Sequence, residues 1–167
     1  MTLPPTPRFQ ADAMLAGLAK WLRVLGFDTA LAPELDDASL VARANRQSRT
    51  LLTRDRHLYD HLSPHHALLI LPDDPLEQLC QVIDAYALSS PPGLFTRCLR
   101  CNTPLVEVTR EAYADALPAS VRASPGLLSR CSTCARLYWY GSHARHMHST
   151  LEAALPAWRA ALAVSTD

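Results

Sequence analysis

Short apolar runs and helical stripes alternate along the first half of the chain. Arg8 to Ala11 reads as a short strand ending at Asp12. From Ala13, the residues Met14, Leu15, Leu18, Leu22 and Leu25 recur at helical spacing, with Ala19 and Trp21 alongside. Gly26 stands where a helix commonly stops. Phe27 to Leu31 reads as a second strand. Asp36-Asp37 opens a helix over about Ala38 to Gln47, with Leu40, Val41 and Ala44 as apolar positions. Leu51 and Leu52 then run into Thr53-Arg54-Asp55-Arg56, an apolar strand ending on one carboxylate and two guanidinium groups. A helical turn from His57 to Leu62 follows, and then a fully apolar strand, Ala67 to Leu71. Asp73-Asp74 ends that strand. Pro75 starts a helix to about Leu88, proline being well suited to the first helical position.

This alternation predicts an α/β fold: a parallel sheet with helices on both faces and right-handed crossovers. Strands buried on both faces read as short apolar runs rather than as alternating ones. Ligands of such sheets bind outside the carboxyl ends of the strands. Asp12, Asp36-Asp37, Asp55 and Asp73-Asp74 all fall at such ends, so the first half reads as a scaffold that gathers carboxylates around metal ions. Each aspartate also has a plain structural reading, because a carboxylate at a helix start caps free backbone N–H groups and suits the helix dipole. His57, His61, His65 and His66 suggest a metal cluster by count, but Pro64 and the loop composition around them favour a solvated segment.

Ser89-Ser90-Pro91-Pro92-Gly93 reads as a linker. It divides the chain into residues 8–90, a second module at 95–150, and a C-terminal helix or tail at 151–167. Cys98-Leu99-Arg100-Cys101 and Cys131-Ser132-Thr133-Cys134 frame a gap of 29 residues. Two such knuckles supply four thiolates, the donor set of a closed, structural zinc site. A segment this short cannot bury a sufficient core, and metal binding supplies folding free energy instead. The gap has room for a short helix around Ala112, Tyr113, Ala116 and Leu117. From Leu137 to His148 aromatic and basic residues interleave, either as a surface that stacks bases and holds phosphates or as a ribbon strand packed on the zinc knuckles. Ala153 to Val164 reads as a last helix, with Pro156 in its first turn.

Charge changes the picture only through its distribution. Net charge is zero, yet residues 1–90 hold 8 Lys and Arg against 11 Asp and Glu, and residues 91–167 hold 8 against 5. Lys20 is the only lysine. Arginine favours bidentate phosphate contacts, although codon bias explains the imbalance equally well. No apolar run approaches the roughly 20 residues of a membrane span, and Met1 to Pro7 lacks a signal pattern. A cytoplasmic protein with no membrane partner is expected. Five cysteines, an odd number, argue against a disulfide framework. Cys80 stands apart as a small core residue.

In combination these motifs resemble one family. They are Phe9-x-x-Asp12-x-Met14-Leu15-x-x-Leu18-Ala19-x-Trp21-Leu22-Arg23-x-Leu25-Gly26, then Leu52-Thr53-Arg54-Asp55-Arg56, then Arg97-Cys98-x-x-Cys101-Asn102, and finally Cys131-x-x-Cys134 with Tyr138-Trp139-x-Gly141-Ser142-His143. The chain resembles the Mut-seven C-terminal RNase domain, a PIN-like nuclease fold with an attached zinc ribbon, over about Phe9 to His148. The resemblance implies metal-dependent hydrolysis of RNA, with single-stranded RNA the expected partner and Asp12, Asp37 (or Asp36) and Asp55 holding magnesium or manganese. Asp73 is the fourth and least securely placed acid. Lys20, Arg23, Arg54 and Arg56 are candidates for the RNA backbone, while a solvated helix face also accounts for Lys20 and Arg23. Three rivals remain. A phosphoacceptor receiver domain needs a lysine at a late strand end, and Lys20 lies in the first helix. A non-catalytic RNA-binding adaptor would bind RNA without metal-dependent cleavage. A toxin-type nuclease fits the zinc module less well.

Overall fold

The computed structural model describes residues 6–163; the start of the Pro-rich N-terminal segment and the Val164 end of the expected last helix lie outside them. Strand β1, Phe9–Ala11, leads through a 3-10 turn, Ala13–Leu15, into helix α1, Ala16–Val24. Then follow β2, Thr29–Leu31; α2, Asp37–Arg46; β3, Thr50–Thr53; α3, Arg56–His61; β4, Ala67–Leu69; and α4, Pro75–Ala85. The four strands form one parallel sheet in the order β2-β1-β3-β4.

Register divides the side chains between the two faces. Phe9 pairs with Thr29 and Thr50, and its ring meets Phe27 and Tyr86 edge-on, at centroid distances of 6.0 and 5.7 Å. This is the α1 and α4 side. Those helices pack so closely that a Cβ on Gly17 would lie 2.9 Å from Pro75 Cγ. On the other face Leu51 packs with Leu40, Val41 and Ala44 of α2 and with Leu58 of α3. Helices therefore cover both faces, as the alternation predicts. β4 departs from expectation: its residues are only half-buried and it stops at Leu69, because it is the edge strand and Gln81 takes over the Leu69 carbonyl and the Leu71 amide.

The Ser-Pro segment does not mark the division between compact units, which falls between Asn102 and Thr103. The chain folds back on the end of α1 instead. The Gly93 amide bonds the Leu25 carbonyl, the Phe95 amide bonds the Val24 carbonyl, and the Arg97 Nε donates to the Gly26 carbonyl. Gly26 has φ +90°, and a Cβ there would stand 2.2 Å from the Gly93 oxygen. A side chain is thus opposed twice, by conformation and by space. Gly26→Ala is expected to cost about 2 kcal/mol or more in a urea unfolding series; an unmoved midpoint would show that this junction does not stabilise the unit.

The second unit begins with β5, Leu105–Val108, which pairs antiparallel with β6, Leu128–Cys131, and β6 with β7, Leu137–Trp139. The connection from β5 to β6 holds a 3-10 segment, Glu111–Ala116, and helix α5, Ala119–Arg122, so the expected short helix is present in two pieces. The sheet of this unit packs on Leu117, Val121 and Leu128, with Val108, Tyr113 and Leu137 against them, and Met147, Leu151, Leu155, Trp158 and Leu162 are buried further along the chain. Only part of the aromatic and basic stretch is strand. From Ser142 it turns into helix α6, Ser142–Ala154, which corrects the ribbon-strand reading. The expected helix over Ala153–Val164 is likewise broken: Leu155, before Pro156, takes φ −124° and ψ 63°, and a 3-10 turn, Pro156–Trp158, separates α6 from α7, Arg159–Leu162. No described helix is long and apolar enough to cross a membrane.

Candidate active site and cysteine centre

Asp12 ends β1 and Asp55 follows β3, the two central and adjacent strands. β1 lies between β2 and β3, so the strand order reverses at the β1–β3 boundary, the point where open α/β sheets leave a crevice. Asp12 is buried, and three donors fix its carboxylate. Oδ1 accepts from the Met14 amide at 2.8 Å, while Oδ2 accepts from the Thr53 hydroxyl at 2.5 Å and the Arg54 amide at 3.2 Å. The Thr53 oxygen in turn accepts from the Asp55 amide at 2.9 Å. One hydroxyl therefore ties the two aspartates together. Asp55 caps α3 through Oδ1, which accepts from the amides of His57 and Leu58, and its Oδ2 has no hydrogen-bond partner among the described residues.

The other predicted acids lie further along the same carboxyl edge, after the outer strands β2 and β4. Asp36 caps α2. The Ser39 amide and hydroxyl hold its carboxyl below the usual range. Asp37, the first residue of α2, is exposed. Asp73 is also exposed, and its carboxylate pairs with the Arg54 guanidinium. Among the described residues, no third carboxylate joins Asp12 and Asp55 in a tight metal-holding group. Lys20 and Arg56 are exposed. Arg23 is not a surface cation: it is 4% exposed and donates to the carbonyls of Thr29, Leu99 and Arg100. Its guanidinium serves the fold, because burying it requires those acceptors.

A further acid, Asp28, escapes sequence reasoning. It precedes β2, as Arg8 precedes β1 and Arg49 precedes β3, so it belongs to the amino edge of the sheet, away from Asp12 and Asp55. Burial alone would raise its pKa. Hydrogen bonds from Arg49, Asn102 and Arg8 outweigh that and hold the carboxyl far below the ordinary range. A carboxyl with a depressed folded pKa stabilises above its unfolded pKa of about 3.9 and loses that contribution as pH falls. Asp28→Asn is expected to cost about 2 kcal/mol at neutral pH and to flatten the decline in stability below about pH 4. Denaturant midpoints between neutral and acid pH test this; parallel pH curves for the two proteins would remove Asp28 from that role.

The four knuckle cysteines form the second centre. Their sulfur atoms all lie within 4.8 Å of one another, with Cys98 and Cys131 buried and Cys101 and Cys134 half-buried. Tetrahedral zinc, with Zn–S near 2.3 Å, requires sulfurs roughly 4 Å apart, so these four could bind zinc. Both knuckles fold alike. The residue after the second cysteine has positive φ, 65° at Asn102 and 60° at Ala135, and its amide returns to the carbonyl of the first cysteine at 2.9 Å. The Cys101 amide also donates to Cys98 Sγ at 3.3 Å. The histidines gather no such set: His57, His61, His65 and His66 are exposed, and the His57 and His61 rings stand 4.9 Å apart. In the second unit Trp139 and Tyr140 are exposed, with Arg136, His143, Arg145 and His146 also at the surface.

A four-stranded parallel sheet covered by helices, together with four clustered cysteines that could bind zinc, defines the chain as an α/β protein with a zinc-compatible module. Residues 7–151 match the Mut7-C RNAse domain, and the chain belongs to that family. Among curated proteins and solved structures, none matches the chain. Family membership supports a nuclease-type activity, with RNA as the class of substrate.

Proposed function

We propose that the chain hydrolyses phosphodiester bonds of single-stranded RNA, using magnesium or manganese held by Asp12 and Asp55, and that zinc occupies the cysteine centre as a structural ion. The observation that carries this reading is the Thr53 hydroxyl, which joins the Asp12 carboxylate to the Asp55 backbone amide and so anchors both residues at the β1–β3 switch point. The donors fit a hard cation. Among the described residues Asp55 Oδ2 has no hydrogen-bond partner and Asp12 Oδ1 accepts one bond, and magnesium is commonly held by one or two carboxylates with waters and substrate phosphates completing its shell. Asp37 is the candidate third carboxylate, since Asp36 is committed to its cap. A divalent ion there supplies acidified water and relief of charge on the phosphate.

The side chains of the site divide the remaining work. Asp12 is held in one rotamer by its three donors, and Asp55 brings a second carboxylate after the adjacent strand. Arg54, Arg56 and Lys20 offer cations to backbone phosphates; the second unit, considered by itself, carries the exposed aromatics Trp139 and Tyr140, on which bases stack. The test is a titration of magnesium and of manganese into purified protein with labelled single-stranded RNA. Cleavage is expected to be absent without added ion and to saturate with it. Binding without cleavage at any ion concentration would return the chain to the adaptor class.

A further inference from the structure

We infer that Asp73 is an internal competitor for Arg54, occupying the guanidinium that an RNA phosphate takes over when substrate binds. This rests on the nuclease reading above and assigns Asp73 a role opposite to that of a metal ligand.

Arg54 joins the centre of the site to its rim. Its backbone amide bonds Asp12 Oδ2, and its guanidinium pairs with Asp73. The two partners of that pair stand in unlike surroundings: the Asp73 side chain is 91% exposed and that of Arg54 29%. An ion pair with one partner in water contributes little to stability, so parting it costs little. A phosphate offers the guanidinium the same kind of paired oxygens as a carboxylate does. The pair engages Arg54 through Nη2, so exchange is nearly balanced for a phosphate that takes that edge of the guanidinium, and such a phosphate displaces Asp73.

The pairing is built rather than incidental. Gln78, 3% exposed, donates to the carbonyls of Pro72 and Asp73, at 3.0 and 3.3 Å. Gln81 accepts from the Leu71 amide and donates to the Leu69 carbonyl. Two glutamines of α4 thus hold the segment that presents Asp73 to Arg54. The neighbouring Asp74 is used differently: it caps α4 through the amides of Leu76 and Glu77. The paired aspartates have divided their labour.

The experiment measures the affinity of a fluorescein-labelled single-stranded oligouridylate by anisotropy, without added magnesium or manganese. The proteins are the full chain, Asp73→Asn, Arg54→Gln and the double variant. Asp73→Asn is expected to tighten binding about two- to fivefold, and the gain is expected to vanish in the Arg54→Gln background. With magnesium present, KM for RNA cleavage should fall by the same factor. An equal gain in both backgrounds would mean simple removal of negative charge and overturn the inference. So would unchanged or weakened affinity, or a lowered kcat, which restores Asp73 to the metal-binding acids. Should no protein of the set cleave RNA, the nuclease reading fails by itself, and the affinity ratios still decide the role of Asp73.

Discussion

Asp55→Asn is expected to lower metal-dependent RNA cleavage by about 10³-fold, roughly 4 kcal/mol of barrier, while the protein unfolds within a few degrees of the original temperature. The reason lies in the two jobs of this carboxylate. Asp55 Oδ1 caps α3 through two amides, and asparagine caps as well as aspartate does. The charge offered by Oδ2 has no replacement. Asp12→Asn should lose as much activity but also about 1–2 kcal/mol of stability. Its Oδ2 accepts from both the Thr53 hydroxyl and the Arg54 amide, and an amide nitrogen there would set donor against donor. Initial rates at saturating magnesium, beside thermal unfolding of the same samples, separate the effects. Retained cleavage by pure Asp55→Asn protein would rule out the proposed site.

Cys131→Ser is expected to abolish bound zinc and to unfold the second unit at ordinary temperature. Among the described residues of that unit, Leu117, Val121 and Leu128 are buried under its sheet and Met147, Leu151, Leu155, Trp158 and Leu162 along its last helices, a small apolar complement to set against the ordering of its loops. Structural zinc in small peptide folds contributes about 10–16 kcal/mol of apparent binding free energy, enough to decide whether such a unit folds. Cys80→Ser provides the contrast, since Cys80 sits half-buried in α4 and outside the cluster. It should change metal content not at all and thermal stability only slightly. Elemental analysis of the purified proteins, followed by near-ultraviolet circular dichroism, reads both. One zinc per chain lost together with the second unit's signal supports the assignment; a folded, zinc-free protein refutes it.

The candidate site was half legible along the chain. Asp12 and Asp55 stand out because each follows an apolar run and begins a helix, a pattern confined to a few neighbouring residues. That they share Thr53 could not be read, since the bond joins positions 41 apart. Arg23 shows the converse. On its helix it resembles Lys20, another cation one turn from the apolar stripe, yet the returning segment 93–102 covers it and offers carbonyls from 76 and 77 residues away. The Ser-Pro segment misleads for the same reason, because its composition marks a turn but not the contacts that follow it. Asp28 carries no local signal at all: its partners, Arg8, Arg49 and Asn102, lie 20, 21 and 74 residues away.

What the sequence determined by itself was most of what has a short period or a short span in the first half of the chain. The parallel alternation came from apolar runs bounded by caps, the helix starts from aspartates and Pro75, and the cysteine cluster from the doubling of a Cys-x-x-Cys pair, which points to zinc where a single pair would not. Tertiary structure alone decided which charges serve the fold and which stay at the surface. Arg23 and Asp28 were withdrawn into the scaffold, Arg54 was paired with Asp73, and Asp12 was locked to Thr53. Burial and ion pairing depend on what the rest of the chain brings alongside a side chain, and no periodicity in the neighbouring residues records that.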